Sequence, residues 1–312
     1  MKIFGICAGR PEGNSEYLLK AALEACEKEY GAEVAWVNLH EHPVNPCIGC
    51  EKCIMELFSK KVMPKCIYHD KDDLSAIMEE YLASDGIIFC VPSFFQQIPG
   101  VVKQFTDRWL PYEMGNLKRL GVIDEIPHRV VGILTVGGSS ETWMGFSLEQ
   151  IHAILTSQSV KVVDKRIITR NNRPGQILIH EDKMEAARDV GRNVAKSCLT
   201  EWDRVEYLGD RSETMCPVCF SNMIRKGQPH WDGLSFKYEC TVCGTGGDIE
   251  AGEDGYVKFV PAANGLEHCR IFTEGRDNHM EEVMSSHVEA EENAELIRRK
   301  KAEANNYRPR KL

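Results

Sequence analysis

Five short runs of β-branched and apolar residues alternate, over the first two hundred positions, with longer segments whose apolar residues recur every three or four residues. A chain with that alternation has few folds open to it. The runs span residues 2–7, 33–39, 86–91, 129–136 and 160–168, and the helical segments span 15–30, 72–84, 99–108, 145–157 and 181–203. Strands joined by helix-length crossovers pair in parallel, and right-handed crossovers place helices on both faces of the sheet. The third and fourth runs are almost continuously apolar, as strands buried on both faces are, so they are expected at the centre.

The expected fold class is therefore α/β: a flavodoxin-like, doubly wound, five-stranded parallel sheet of order 2-1-3-4-5. Asn14 or Ser15 is the expected N-cap of the first helix and Asp72 that of the second, because short polar side chains accept from first-turn amides. After Asp203 the pattern breaks into short strands and closely spaced glycines, which marks a second, small β-rich domain starting near Arg211. Beyond Gly275 the chain turns acidic and then basic, ending in Arg308, Arg310 and Lys311, and reads as a charged helix or tail. The domains are thus expected at 1–205, 211–275 and 276–312, with a cysteine-bearing loop at 41–70.

Composition narrows the function. The 38 Lys and Arg against 47 Asp and Glu leave a net charge of −9, which works against a general nucleic-acid surface. With 43% hydrophobic and 27% charged residues over 312 positions, the chain is globular and neither disordered nor fibrous. No run reaches the roughly 18 apolar residues of a spanning helix, and no secretory leader is visible, so a cytoplasmic protein without membrane association is expected. No Ser-His-Asp set, catalytic carboxylate pair or H-E-x-x-H motif points to hydrolysis.

Three loops leave the carboxyl ends of strands, where open α/β sheets bind ligands. The first carries Gly9, Arg10, Asn14 and Ser15 into a helix start, where small residues, amides and polar donors suit a mononucleotide phosphate. The second is Pro92-Ser93-Phe94-Phe95-Gln96 and the third begins Gly137-Gly138-Ser139; each supplies amides and a rim for a flat heteroaromatic ring. Ordinary β-to-α turns explain each loop taken alone.

Most of the 13 cysteines are clustered. Cys47, Cys50 and Cys53 stand at C-x2-C-x2-C spacing, with Cys66 following a twelve-residue spacer. Such thiolates suit the corners of a 4Fe-4S cubane, with bound zinc and free redox-active thiols as alternatives. Cys216, Cys219, Cys240 and Cys243 form two C-x-x-C knuckles separated by twenty residues, the arrangement of a zinc ribbon, with rubredoxin-like iron as the alternative. Cys7 and Cys90 read as small hydrophobes. Cys26, Cys198 and Cys269 have no partner in the sequence pattern, and His40, His42 and His69 read as solvated loop residues.

The three loops together resemble the NADPH-dependent FMN reductase family, and more closely its iron-sulfur flavoprotein branch, over about residues 1–200. Gly9, Arg10, Asn14 and Ser15 look like the family's phosphate loop; Pro92, Ser93, Phe94 and Phe95 look like its segment beside the isoalloxazine; Gly137, Gly138 and Ser139 look like its Gly-rich third loop. The compact cysteine motif after the second strand is similar to the branch's cluster loop, although the spacer before Cys66 is longer. The resemblance implies FMN, a 4Fe-4S cluster, and NAD(P)H or ferredoxin as electron donor. It also implies a homodimer or homotetramer. Two other functions stay open: a non-catalytic electron-transfer flavoprotein, and an interaction module whose ribbon binds protein or nucleic acid.

Overall fold

The computed structural model describes residues 1–253, 255–306 and 308. The expected Arg310 and Lys311 of the basic end lie outside the described residues. In chain order the first part comprises β1 (Lys2–Cys7), α1 (Asn14–Tyr30), β2 (Glu33–Asn38), α2 (Lys52–Lys60), α3 (Leu74–Leu82), β3 (Gly86–Pro92), α4 (Gly100–Thr106), α5 (Met114–Arg119), β4 (Val130–Val136), α6 (Ser147–Thr156), β5 (Lys161–Ile168) and α7 (Glu181–Cys198). The five strands form a parallel sheet of order β2-β1-β3-β4-β5, and every residue of β3 and β4 is buried. That is the expected doubly wound architecture.

Two apolar layers sandwich the sheet. Leu18, Leu19 and Ala22 of α1 meet Val190 and Val194 of α7 on one face, while Met78, Val102, Phe105 and Ile151 cover the other from α3, α4 and α6. α1 and α7 approach so closely that a Cβ on Gly191 would lie 2.1 Å from the Ala22 carbonyl oxygen. This explains a glycine in mid-helix, where it otherwise costs about 1 kcal/mol against alanine.

Three local expectations need correction. The N-cap of α1 is Gly13, with no side-chain cap, and Asn14 and Ser15 are its first helical residues. The N-cap of α3 is Asp73; Asp72 accepts from the Leu74 amide at 3.3 Å but is chiefly tied to Arg108 and Asn45. α7 stops at Cys198 rather than 203, because Lys161 Nζ donates to the Trp202 carbonyl at 2.6 Å and the Trp202 ring stacks on His128 at 4.3 Å. Those contacts pull the chain back to the sheet edge.

The second part is a four-stranded antiparallel sheet, β6 (Ile224–Lys226), β7 (Tyr238–Cys240), β8 (Gly246–Ala251) and β9 (Val257–Pro261), followed by α8 (Thr273–Glu292) and α9 (Ala294–Ala304). It docks on α6 through polar groups. Ser221 Oγ donates to Glu149 at 2.6 Å, and Thr156 Oγ1 donates to the Val242 carbonyl at 3.3 Å. Glu149 also receives Lys165 Nζ at 2.9 Å. Burial alone would raise the Glu149 carboxyl, but His152, Lys165 and Ser221 together take it down to about 2, so the carboxylate is charged at neutral pH. Among the described residues no helix is long and apolar enough to cross a membrane.

Candidate cofactor and metal sites

The three strand-end loops meet at one cavity of about 210 Å3, lined by Gly9, Arg10, Gly13, Asn14, Ser15, Pro92, Ser93, Phe94, Gly137 and Gly138. The loops are stitched together. Ser93 Oγ donates to the Met144 carbonyl at 3.0 Å, the Phe146 amide to the Gln96 carbonyl at 2.9 Å, and the Asn171 amide to the Gly137 carbonyl at 2.9 Å. Gly9 and Gly13 are required by crowding: a Cβ on the first would fall 2.9 Å from Ser15 Oγ, and on the second 2.8 Å from the Arg10 carbonyl oxygen. Because no side chain caps α1, its first-turn amides are left for an anion.

Two expected lining residues sit elsewhere on this edge. Phe95 is fully exposed, and both it and Gln96 hold left-handed backbone, at φ 52° and 70°. Bulky residues adopt that region only when their surroundings enforce it. Ser139 is exposed, and its carbonyl accepts from the Arg170 amide at 3.1 Å. Asn14 lines the cavity, but its carboxamide is committed: Nδ2 donates to the Asn171 and Arg173 carbonyls at 3.0 and 2.9 Å, and Oδ1 accepts from the Ile177 amide at 3.1 Å. It is a cross-tie as much as a lining residue.

The fourth wall was missed in the sequence. Asn171, Asn172 and Pro174, from the loop after β5, also line the cavity. Asn171 is 4% exposed and its Oδ1 is buried without a partner, a group that a bound molecule with a donor would satisfy. The available signal was positional: this loop too leaves the carboxyl end of a strand. Cys7 and Cys90 take no visible part; burial pushes the Cys7 thiol up to about 12 and raises that of Cys90 as well. His40, His42 and His69 are hydrogen-bonded to Ala8, Asp73 and Ser75.

Cys47, Cys50, Cys53 and Cys66 line a second, separate cavity of about 90 Å3, walled by Ile48, Ile54, Leu110 and Pro111. The long spacer before Cys66 is occupied by α2, whose Leu57 is buried against Met114 and Leu117 of α5, and the chain then returns to the cavity. Arg108 also lines it, pairs with Asp72 and reaches the Asn45 carbonyl. Burial would raise the Asp72 carboxyl, but the guanidinium and Asn45 hold it below its usual range.

Cys216, Cys219, Cys240 and Cys243 converge on one buried point, with all four sulfurs within 4.8 Å of one another. The Cys216–Cys243 and Cys219–Cys240 separations are 3.7 and 3.5 Å. Four thiolates about 2.3 Å from one ion would stand about 3.8 Å apart in a tetrahedron, so the quartet fits a single metal ion. Cys269 is placed here as well, buried 3.5 Å from Thr245 Oγ1, which itself lies 3.0 Å from Cys243 Sγ.

Comparison with known proteins matches residues 1–168, more than half of the chain, to the NADPH-dependent FMN reductase family. The chain belongs to that family. An iron-sulfur flavoprotein of Methanocaldococcus jannaschii is 30% identical over 204 residues, which cover 63% of this FMN reductase homologue and 96% of the relative. The flavone synthase of Aspergillus candidus is 26% identical over 297 residues, covering 91% of this chain and 88% of that one. Among solved structures, a flavone reductase superposes with a TM-score of 0.74 at 22% identity over 100% of this chain and 99% of its own, which establishes a shared fold including the ribbon. Crowded glycines, uncapped amides and an orphan acceptor meet at the Gly9–Asn171 edge, which makes that cavity the candidate site for the flavin of this FMN reductase homologue.

Proposed function

We propose that the protein is an FMN-dependent oxidoreductase of the iron-sulfur flavoprotein type. In this reading it moves electrons from NAD(P)H or ferredoxin, through FMN and a 4Fe-4S cluster, to an acceptor. The observation that carries it is the cysteine loop. Cys47, Cys50, Cys53 and Cys66 surround one small, apolar cavity, yet among the described residues only the ribbon quartet closes on a single point. A cubane asks for that looser ring, since each thiolate binds a different iron. The ribbon quartet is then a structural zinc or, less simply, a rubredoxin-like iron.

FMN supplies exchange between hydride and single-electron transfer, and the cluster supplies one-electron storage. The chain's own part is placement. First-turn amides of α1 and Arg10 would hold the phosphate, the Pro92–Phe94 and Gly137–Gly138 segments would flank the ring, and Asn171 Oδ1 would be free to accept from a flavin donor. Arg108, in the wall of the cysteine cavity, would balance negative charge at the thiolates.

The acceptor we favour is a planar phenolic ketone of the flavone class. Two relatives that match nearly the whole chain are named for flavone chemistry, and a ledge of exposed aromatics, Phe94, Phe95, Trp143 and Phe146, borders the flavin cradle. The net reaction would consume NAD(P)H and a proton and saturate the ring carbon–carbon double bond. Anaerobic mixing tests this. NAD(P)H or reduced ferredoxin should bleach the flavin, and a flavone should restore the colour with steady turnover. Reversible bleaching without turnover on any flavone would favour an electron carrier. Retained binding of protein or nucleic acid by the ribbon, with no flavin turnover, would favour an interaction module.

A further inference from the structure

A larger cavity, of about 640 Å3 against about 210 Å3 for the flavin cavity, opens where the helices of the parallel sheet meet the ribbon. Lys103, Asn116 and Ile154 of α4, α5 and α6 stand on one side, and Arg225, Glu239 and Arg276 of β6, β7 and α8 on the other. It shares no lining residue with the flavin cavity. Asp107 and Leu110 line both it and the cysteine cavity, and Cys240 of the ribbon quartet lies in its ribbon wall. Flavin binding and the two cysteine sites leave this space unused.

Its acids are spoken for. Asp107 pairs with Lys103, Glu239 with Arg225 at 3.2 Å and His230 at 2.7 Å, and Glu282 with His279 at 3.1 Å. Glu113 caps α5, accepting from the Gly115 and Asn116 amides at 3.0 and 2.6 Å, and faces Arg276 across Gly115 without forming an ion pair with it. Two arginines are left over. Among the described residues neither Arg270, which is exposed, nor Arg276 pairs with a carboxylate. Arg276 Nη1 donates to the Arg270 and Ile271 carbonyls at 3.4 and 3.3 Å, while its Nε is buried with no partner. Trp109, 2% exposed, lines the same cavity, and its Nε1 is also buried without a partner. Both orphaned buried atoms of this wall are therefore N–H donors.

We infer that this cavity binds a small organic anion, whose phosphate or carboxylate is held by Arg270 and Arg276. A buried, unpartnered N–H asks for an acceptor. Unpaired guanidiniums ask for negative charge, and they bind phosphate or carboxylate oxygens through charge-assisted, often bidentate hydrogen bonds. Water meets the first need but not the second. The volume asks for more than a bare ion, since pockets of about 300–1,000 Å3 hold drug-sized ligands. Trp109, Leu110 and Ile154 offer the body of such a ligand an apolar surface. A Cβ on Gly115 would lie 3.1 Å from Arg276 Nε, so the root of α8 meets the start of α5 here. The anion thus joins the ribbon to the sheet's helices, against the wall of the cysteine cavity.

The test uses the full-length, metal-loaded protein saturated with FMN, so that the phosphate loop at Arg10 is filled. It is titrated calorimetrically at low salt with phenyl phosphate and, separately, with phthalate. At least one probe should bind once per chain, and the tighter of the two names the oxyanion. Arg270→Gln should weaken that binding about tenfold or more, as loss of a charge-assisted hydrogen bond does. Arg270 is exposed, so this variant keeps the fold and decides the matter even if Arg276→Gln melts early. Arg276→Gln should weaken binding at least as much, and Arg276→Lys, which keeps the charge without the fork, should recover part of it. Arg298→Gln, in α9 and outside the cavity, should leave it unchanged. Saturation by neither probe, wild-type affinity in Arg270→Gln, or an equal loss in Arg298→Gln would each overturn the assignment.

Discussion

Asp72→Asn is expected to damage the cysteine loop without touching a cysteine. Its carboxylate and the Arg108 guanidinium form an ion pair whose side chains are 3% and 1% exposed, and the carboxylate also accepts from the Asn45 amide and side chain at 2.8 and 2.9 Å. Removing one partner of a buried pair leaves the other charge uncompensated, at a cost of about 3–5 kcal/mol. At about 2–4 °C per kcal/mol for a unit of this size, the melting temperature should fall by roughly 6–20 °C. Replacing both partners by apolar residues, Asp72→Leu with Arg108→Met, should cost less than the single substitution, since neither charge is then stranded. The pH dependence has a definite sign. The folded-state carboxyl is held below its ordinary value, so the pair stabilises above the ordinary aspartate range and that contribution is lost as pH falls through the folded value. The difference between wild type and variant should therefore be flat from pH 6 to 8 and close only below about pH 4. Thermal melts of the two proteins across that range decide it. A shift equivalent to less than about 0.5 kcal/mol, the size of an ordinary surface change, would refute the reasoning.

Gly9→Val should weaken FMN retention with the fold preserved, because its side chain meets Ser15 within 2.9 Å; overpacking of about 1–3 kcal/mol would appear in flavin titration of the apoprotein. Asn171→Leu removes the orphan acceptor and should also weaken FMN binding, whereas Asn171→Asp, which keeps an acceptor, should retain more of it; equal affinities for all three proteins would count against a flavin contact. Cys240→Ala should release one metal ion per chain and unfold the ribbon, since site formation and folding are coupled in small metal domains, and metal analysis with near-ultraviolet circular dichroism would detect both. Cys7 should resist alkylation at pH 8 in the native protein, because its thiol is pushed up to about 12, while the exposed Cys47 and Cys50 of metal-stripped protein should react quickly, as peptide mapping would reveal.

The parallel sheet was legible because burial on both faces writes itself as unbroken apolar runs. β3 and β4 are buried at every position, and their limits shift by a single residue from those expected. The quartet Cys216, Cys219, Cys240 and Cys243 was legible from spacing alone, whereas Cys66 joined Cys47, Cys50 and Cys53 only through the family resemblance. Short elements held by tertiary contacts were not legible. α2 offers nine residues and one buried side chain, Leu57, so its place depends on α5, which the chain reaches only much later. The cap of α1 was misassigned for a related reason: Asn14 spends its carboxamide on residues 171–177, a partner no local reading supplies. Asn171 and Cys269 likewise acquire meaning only when the loop after β5 and the segment after β9 fold back onto older parts of the chain.

The central claim is that one chain holds a flavin and two chemically different cysteine sites. Oxygen-free preparation, followed by counts of FMN, iron, acid-labile sulfide and zinc per chain, tests it most directly. The account predicts one FMN, four irons with matching sulfide, and one zinc, with iron and sulfide lost in Cys50→Ala and zinc lost in Cys240→Ala. A flavin-bearing protein with no labile sulfide after anaerobic reconstitution, or with iron unaffected by Cys50→Ala, would contradict it.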